Sequence, residues 1–136
     1  MGKYNLTPVK EKPAAYRNRL KPEMVDELEK KIFEIIVIQK KYMDPEFSAA
    51  ELAKMLGTNT RYISAVVGLR FGKNYTGFVN EYRIKDALGK LLDKRYASAN
   101  VEEIGKMVGF ANRQSFYTSF YKITGQTPRG YRVKHS

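Results

Sequence analysis

The chain has 136 residues, and its 25 lysines and arginines outnumber its 14 acidic residues, for a formal net charge of +11 at pH 7. This length allows one domain, or two very small ones that share a helix, and the basic excess favours an anionic partner, with nucleic acid as the first candidate. The absence of cysteine excludes disulfide bonds and thiolate metal sites.

The sequence carries no sign of membrane insertion, secretion or catalysis. No apolar run approaches the ~18 residues of a transmembrane helix, and the N-terminus lacks the apolar core of a secretory signal. We therefore expect a cytoplasmic protein without membrane contact in this chain. No carboxylate pair, glycine-rich phosphate loop or metal-ligand spacing is present, and the only histidine, His135, stands beside the C-terminus, where we expect disorder. We accordingly predict no enzymatic activity, no metal and no cofactor.

The first part of the chain combines a basic lead-in with an apolar helix. Residues 1–21 are strongly basic and interrupted by prolines, which is typical of a flexible lead-in or linker. A helix is predicted from Pro22, with acidic residues near its start and Lys40 and Lys41 at its end, as the helix dipole favours. Its apolar stripe predicts burial in the core; alternatively, residues 32–38 dock a partner. The stripe consists of Leu28, Ile32, Ile35 and Ile36, widened by Phe33, Val37 and Ile38.

The stretch from Ser48 to Gly68 predicts two short helices joined by a tight turn. Ser48 can cap the first helix, with Glu51 three residues later as its reciprocal partner. Gly57 can end that helix, because glycine accepts the positive φ that helix ends often need, and Asn59 can cap the second helix. This pattern is typical of a helix-turn-helix, whose second helix enters the DNA major groove. The predicted inward residues are Leu52, Ala53, Met55, Leu56, Tyr62, Ile63, Val66 and Val67.

A long helix is predicted over residues 75–93. At 1.5 Å per residue it spans roughly 27 Å. Neighbouring major-groove sites on one face of a duplex lie about 34 Å apart. A linker helix of this length, together with the width of the flanking units, can hold that spacing. Its predicted apolar anchors are Phe78, Ile84, Ala87, Leu88, Leu91 and Leu92.

The helix-turn-helix pattern recurs 52 residues later. The segment E-L-A-K-M-L-G at 51–57 is echoed by E-I-G-K-M-V-G at 103–109, with Asn100 in the capping position. The second turn needs one more residue, so that Asn112 caps the next helix and Phe116 and Phe120 supply its inward face. Two matching segments at a constant offset are much stronger evidence for a helix-turn-helix than one match alone. The sequence thus predicts an all-α fold in which two helix-turn-helix units, 22–74 and 94–136, are joined by the linker helix 75–93.

Acidic residues are absent from both predicted recognition helices. No acid lies between Glu51 and Glu81, and none lies from Ile104 to the C-terminus. A merely solvated surface is expected to mix charges of both signs. A surface that meets phosphate must exclude carboxylates, because facing like charges cost several kcal/mol. The charge pattern therefore favours DNA contact in these two windows.

The C-terminal run G-F-A-N-R-Q-S-F-Y-T-S-F-Y-K-I-T-G-Q-T-P-R-G-Y-R resembles the signature of the AraC/XylS family of bacterial transcription regulators. The segment R-I-K-D-A, with Arg83, Ile84 and Ala87, resembles the family's linker-helix motif, and A-x-x-L-G, with Ala53 and Gly57, resembles its first unit. The resemblance covers roughly residues 22–134. The matching positions of the signature are Gly109, Phe110, Phe116, Phe120, Lys122, Gly125, Thr127, Pro128, Tyr131 and Arg132.

The resemblance has consequences for fold, location and partners. It implies an all-α domain of about seven helices, with two reading helices in successive major grooves on one face of double-stranded DNA. It also implies a bacterial protein associated with the nucleoid, and RNA polymerase as a partner if the protein is an activator. Family members commonly carry a sensor or dimerisation domain before this unit, and we expect any such domain to lie outside this chain.

The outward positions of the two predicted recognition helices are the candidates for DNA contact. Arg61 and Arg113 suit guanine O6 and N7, and Gln114 suits adenine N6 and N7. Ala65, also expected to face outward, offers only an apolar contact, for example with a thymine methyl. The base-reading candidates are Thr60, Arg61, Ser64, Arg113, Gln114, Tyr117 and Thr118. The phosphate candidates are Lys54, Asn59, Arg70, Lys73, Lys106, Asn112 and Lys122.

The sequence allows more than one role for Arg83 and more than one function for the chain. Arg83 can contact phosphate or form a structural ion pair that holds the linker helix. Tyr131 and Arg132 are expected to hold the last short helix on the second unit. The alternative functions are a basic RNA-binding protein, which would need exposed aromatic residues or a β platform for stacking, and a helical protein–protein adaptor.

Overall fold

The computed structural model describes residues 20–135, so the predicted lead-in lies almost entirely outside the described residues. Within that range the chain is all-helical, with seven α-helices and no strand, which confirms the predicted fold class. The helices are α1 (Pro22–Phe33), α2 (Ala49–Met55), α3 (Thr60–Phe71), α4 (Tyr75–Leu92), α5 (Val101–Met107), α6 (Arg113–Thr124) and α7 (Pro128–His135).

The end of the first helix differs from the prediction of one α-helix reaching Lys41. After α1 the chain forms a π-helical turn at Glu34–Ile38, and Lys40 then adopts a left-handed conformation with φ 61° before a 3₁₀ turn at Lys41–Met43. A π turn closes its hydrogen bonds over one residue more than an α turn, so the apolar stripe loses its register. Ile35 and Ile36 are still buried, whereas Ile38 is 58% exposed.

The described chain divides into two units. Residues 20–35 and 48–78 form the first, and residues 36–47 and 79–135 form the second. Residues 36–47, which precede the first helix-turn-helix along the chain, thus pack with the second unit. Helix α4 begins in the first unit and continues in the second.

The core of the first unit is built where α3 packs on α1 and α2. Leu52 and Ile63 are completely buried, as the helical spacing predicts. Met55 was predicted to face inward but is 54% exposed, because α2 has only two turns and Leu52 and Ala53 already fill its buried face. Tyr62 is half-buried rather than a core residue. The buried set is Val25, Leu28, Ile32, Leu52, Ala53, Ile63, Ala65, Val66, Val67 and Phe78, with Ile35 at the end of the unit's first segment.

The second unit has a core rich in phenylalanine. Phe116 and Phe120 pack edge to face, with ring centroids 5.7 Å apart, and both are buried, as predicted. Leu92 was predicted to anchor α4 but is exposed, because it is the last residue of that helix. The core residues are Ile84, Ala87, Leu91, Val101, Ile104, Val108, Phe110, Phe116 and Phe120.

The C-terminal helix is held by one arginine and one tyrosine, as the sequence predicts. Arg132 donates hydrogen bonds to three backbone carbonyls, at 3.1 Å to Leu91, 2.9 Å to Tyr96 and 2.6 Å to Ala99. Tyr131 packs edge to face on Phe120, with centroids 5.8 Å apart. The expectation of disorder at His135 is wrong: this residue is part of α7.

Arg83 has a structural role, but the contacts that define it are hydrogen bonds to backbone carbonyls and not the ion pair that was one of its two predicted alternatives. Its Nε donates to the carbonyl of Tyr42 at 2.6 Å, and its Nη2 donates to the carbonyl of Asp44 at 3.2 Å. The Tyr42 hydroxyl donates in turn to Asp86 at 2.7 Å. Burial, followed by this bond and the charge of Asp86, raises the pKa of Tyr42, which keeps the hydroxyl protonated. These bonds fasten residues 36–47 to the second unit.

The structural repeat extends beyond the segment seen in the sequence. Helices α2 and α5 are offset by 52 residues, and α3 and α6 by 53, which confirms the longer second turn. The offset of 53 continues into α4 and α7, where Asn74 and Thr127 each accept a hydrogen bond from the backbone N–H three residues later. Each helix-turn-helix is therefore followed by a helix that starts with the same kind of cap.

Candidate nucleic-acid interface

The first recognition helix, α3, is positioned by two side-chain caps and a glycine. Ser48 Oγ accepts from the Glu51 N–H at 3.2 Å, and Asn59 Oδ1 accepts from the Tyr62 N–H at 3.0 Å. Gly57, with φ 67°, closes the turn between α2 and α3 in a conformation that an L side chain adopts only with strain. The Ser48 and Asn59 side-chain caps therefore form and leave the start of α3 exposed, but the reciprocal bond from the Glu51 side chain does not accompany the Ser48 cap.

The outward face of α3 is polar and basic. Thr60, Arg61 and Ser64 are all exposed, and so are the flanking Lys54 and Lys73. The prediction for Ala65 is wrong: this residue is 4% exposed, so it is a core residue and offers no methyl contact to a thymine. Four residues of this helix are buried, as many as predicted, but Ala65 takes the inward place that was assigned to Tyr62.

Arg70 lies on α3 but is engaged by acidic residues of α1. Its Nη2 is 2.8 Å from Asp26 Oδ1, and its Nη1 donates to Glu29. These hydrogen bonds, with the one to Asp26 as the larger cause, raise the pKa of Arg70. The guanidinium therefore links α3 to α1 and is engaged by carboxylates instead of being available to phosphate.

The second recognition helix, α6, is positioned in the same way. Asn100 and Glu103 form a complete capping box at the start of α5, with both hydrogen bonds at 2.8 Å. Asn112 Oδ1 accepts from the Ser115 N–H at 2.8 Å at the start of α6. Gly109, with φ 116°, makes the turn, and a Cβ there would lie 2.3 Å from the carbonyl oxygen of Tyr42.

The outward face of α6 carries the remaining base-reading candidates. Arg113, Gln114 and Thr118 are exposed, whereas Tyr117 is half-buried. The Arg113 guanidinium lies over the Tyr117 ring, 4.4 Å from its centroid, which is a favourable cation–π distance. The candidate phosphate-binding residues Lys106, Asn112 and Lys122 are also exposed.

One acidic residue lies against α6 and was missed by the sequence analysis. Glu102 Oε2 accepts from the Tyr117 hydroxyl at 2.8 Å and from Arg113 Nε at 3.2 Å, and it lies 3.5 Å from Arg129 Nη2. The bond from Tyr117 is the largest cause of a lowered pKa at Glu102. The acid-free window was counted along the chain, and Glu102 lies just before it. Only the packing of α5 on α6 brings the carboxylate to the recognition helix.

The described residues include neither a candidate membrane span nor a candidate metal site. No helix within residues 20–135 is long and apolar enough to cross a membrane. In the same range, no group of three or more histidine, cysteine, aspartate or glutamate side chains could hold a metal ion.

The sequence is similar to known helix-turn-helix regulators. A family model described as a helix-turn-helix domain matches residues 52–134. An HTH-type transcriptional regulator of Bacillus subtilis, YtdP, is 31% identical over 98 residues. That match covers 72% of this chain but 12% of the relative, so the chain spans about one eighth of the length of this relative.

Solved structures share the fold. The C-terminal domain of the two-component response regulator yesN from Fusobacterium nucleatum superposes with a TM-score of 0.66 at 28% identity, covering 76% of this chain and 96% of that one. A transcriptional regulator with an AraC-type DNA-binding domain from Chromobacterium violaceum has the same fold, with a TM-score of 0.66 at 19% identity, covering 79% and 94%. The matched family model and the two repeated units together show that this chain belongs to the AraC-type family of helix-turn-helix, DNA-binding transcription regulators.

Proposed function

We propose that this chain reads double-stranded DNA with both recognition helices, α3 and α6, each placed in one of two successive major grooves. The observation that carries the proposal is the same capped helix-turn-helix built twice, each time with an exposed polar and basic helix face. The proposed base-reading residues are Thr60, Arg61 and Ser64 on α3, and Arg113, Gln114, Tyr117 and Thr118 on α6.

The chemistry of these side chains suits base edges in the major groove. Arg61 and Arg113 can each donate two hydrogen bonds to guanine O6 and N7, and Gln114 can pair with adenine N6 and N7. Thr60, Ser64 and Thr118 are short enough to contact either a base edge or a nearby phosphate. Phe78, Phe116 and Phe120 are buried and so cannot stack on RNA bases, whereas Tyr121 on α6 is 61% exposed. Competition binding against single-stranded RNA therefore separates the two functions.

The proposed phosphate contacts surround the same two helices. Lys54 and Lys73 flank α3, while Lys106 and Lys122 flank or lie on α6. Asn59 and Asn112 mark the helix starts, where the helix dipole and backbone N–H groups favour an anion. These contacts set affinity and register, whereas the base-reading residues set sequence preference.

The test is selection of bound sequences from random duplexes, followed by competition binding at several salt concentrations. We expect a preferred site with two half-sites about one turn apart, and an affinity that falls with log salt as expected for roughly 5–10 phosphates. Arg61→Ala and Arg113→Ala should each relax the preference at one base position, in different half-sites. Equal binding to single-stranded RNA and to any duplex would contradict the proposal.

The proposal also covers the larger protein, the partners and the cellular location of this chain. Because the chain spans about one eighth of its curated relative, we infer that it acts as the DNA-binding end of a larger regulator. A sensor or dimerisation domain would then lie outside this chain, and RNA polymerase would be a partner if the regulator activates transcription. We expect this action on the bacterial nucleoid in the cytoplasm.

A further inference from the structure

We propose that Glu102 is a specificity-determining positioning residue, which holds Arg113 in the orientation that reads guanine. The inference rests on the proposed role of Arg113 in base reading. It adds a residue from α5, outside the recognition helix, whose charge is opposite to that expected of a DNA contact.

The geometry restrains the Arg113 side chain at two places. Its Nε donates to Glu102 Oε2 at 3.2 Å, and its guanidinium carbon lies 4.4 Å from the centroid of the Tyr117 ring. Tyr117 is itself held by its hydroxyl, which donates to the same carboxylate oxygen at 2.8 Å. One carboxylate therefore orients both the guanidinium and the ring beneath it.

The bond to Nε has a chemical consequence for base reading. A guanidinium can pair with guanine through its two Nη groups, which form a planar fork matching O6 and N7. Glu102 engages Arg113 through Nε, so this fork is not consumed by the ion pair. Since the Arg113 side chain is 66% exposed, holding it in advance also lowers the entropy lost when it binds a base.

The carboxylate affects both the affinity for DNA and the specificity. A negative charge beside DNA weakens binding to every sequence by repulsion from phosphate. A held guanidinium, however, cannot swing to a phosphate when the wrong base is present, so a mismatch leaves its donors unpaired. Glu102 thus lowers the affinity for all sites and lowers it most for the wrong ones.

The first unit lacks this arrangement. The position that corresponds to Glu102 is Ala50, which has no charge, and the position that corresponds to Arg113 is Thr60. The device therefore belongs to α5 and α6 of the second unit. We therefore expect base discrimination by Arg113 to depend on Glu102.

The test measures dissociation constants for the selected site and for its single base-pair variants. Arg113→Ala should lose about tenfold or more of the discrimination at one base pair. Glu102→Gln should bind all sequences more tightly, yet lose about threefold or more of the discrimination at that same base pair. In the double variant, the change at Glu102 should have no further effect on that discrimination.

Two matched variants separate this role from simpler ones. Glu27→Gln makes the same change in net charge on α1 of the first unit, and it should leave every base preference unchanged. Arg129→Gln removes the ion pair between α5 and α7 but leaves Arg113 in contact with Glu102. This variant should also preserve the base preferences, whereas a purely structural role of Glu102 would make it behave like Glu102→Gln.

The outcomes distinguish this inference from the proposed function. If Arg113→Ala changes discrimination at no base pair, the proposed reading by Arg113 fails, and the role of Glu102 fails with it. If Arg113→Ala relaxes one base pair but Glu102→Gln tightens all sequences equally, the inference about Glu102 alone is overturned. A loss of discrimination in Arg129→Gln equal to that in Glu102→Gln would also overturn it.

Discussion

The two helix-turn-helix units of this protein share their backbone plan and differ in how side chains complete it. Both start with a capped two-turn helix, turn at a glycine with positive φ, and continue into a capped helix of 12 residues. In the second unit Gly105 lies against Phe116, and the corresponding positions of the first unit hold Ala53 and the aliphatic Ile63. The smaller residue at position 105 thus accompanies the larger ring at position 116.

The two units also differ in where the paired arginine lies on the recognition helix. In the first unit, carboxylates of α1 engage Arg70 near the end of α3. In the second unit, a carboxylate of α5 engages Arg113 at the start of α6. The first arrangement holds a helix in place, whereas the second lies on the face proposed to read bases. Identical caps therefore do not imply identical use of charge.

The largest difference between the two units is expected in the loss of stability when the turn glycines, Gly109 and Gly57, are each replaced by alanine. In Gly109→Ala, the new Cβ would lie 2.3 Å from the Tyr42 carbonyl oxygen, in addition to the strain of positive φ. We expect a loss of about 3–5 kcal/mol in the free energy of unfolding. In Gly57→Ala no atom lies within 4 Å of the new Cβ, so only about 1–2 kcal/mol should be lost. Urea denaturation of both variants tests this, and equal losses would refute the role of the close approach.

The next largest loss of stability is expected at Gly105, which lies against Phe116. Gly105→Ala would place a Cβ 2.5 Å from Phe116 Cδ2, and Phe116 is buried between Phe110 and Phe120. Alanine normally favours a helix over glycine by about 1 kcal/mol, but overpacking costs about 1–3 kcal/mol. We therefore expect a net loss of up to about 2 kcal/mol in the free energy of unfolding.

A double-mutant cycle checks this explanation. In the background of Phe116→Ile, which copies the first unit, Gly105→Ala should become neutral or stabilising in thermal and urea unfolding. The reciprocal control is Ala53→Gly in the first unit, where the smaller Ile63 needs no extra space. That change should destabilise through helix propensity and a lost methyl contact. No coupling between positions 105 and 116 would show that the pairing is incidental.

The caps should contribute equally in the two units. Asn59→Ala and Asn112→Ala each remove a side-chain acceptor at the start of a 12-residue helix. We expect each to lower the free energy of unfolding by about 1 kcal/mol. Hydrogen exchange at Tyr62 and Ser115, whose N–H groups these caps accept, should report the loss locally. A clearly larger effect in one unit would break the structural equivalence of the two helix starts.

The smallest effect on binding is expected at Arg70. Its ion pairs with Asp26 and Glu29 are exposed, and pairs of this kind contribute little to stability in water. Arg70→Gln should therefore change neither the base preference nor, beyond the loss of one positive charge, the salt dependence of DNA binding. A change at one base pair would instead place Arg70 among the reading residues.

Much of this architecture follows from local patterns. The glycine-ended turns and the caps at Ser48, Asn59, Asn100 and Asn112 all form where the sequence places them. The longer second turn was also predictable, because Phe116 had to fall on the inward face of α6. These features depend on backbone geometry within a few residues, so a single stretch of sequence contains their cause.

Other features depended on residues distant along the chain. Ala65 looked outward by periodicity alone, but it is buried in the packed first unit. Residues 36–47 joined the second unit because Arg83 binds the carbonyls of Tyr42 and Asp44. No local signal marks a backbone carbonyl as the partner of an arginine some 40 residues away.

The sequence by itself therefore determined the starts of the helices, the repeat and the family, but not the end of the first helix. Periodicity, capping and turn preferences are local free energies, and they act before any tertiary contact forms. The tertiary structure alone decided which charges of different helices meet. Because the packing of α5 on α6 sets the distance from Glu102 to Arg113, an acidic residue outside the acid-free window became part of the surface that we propose faces DNA.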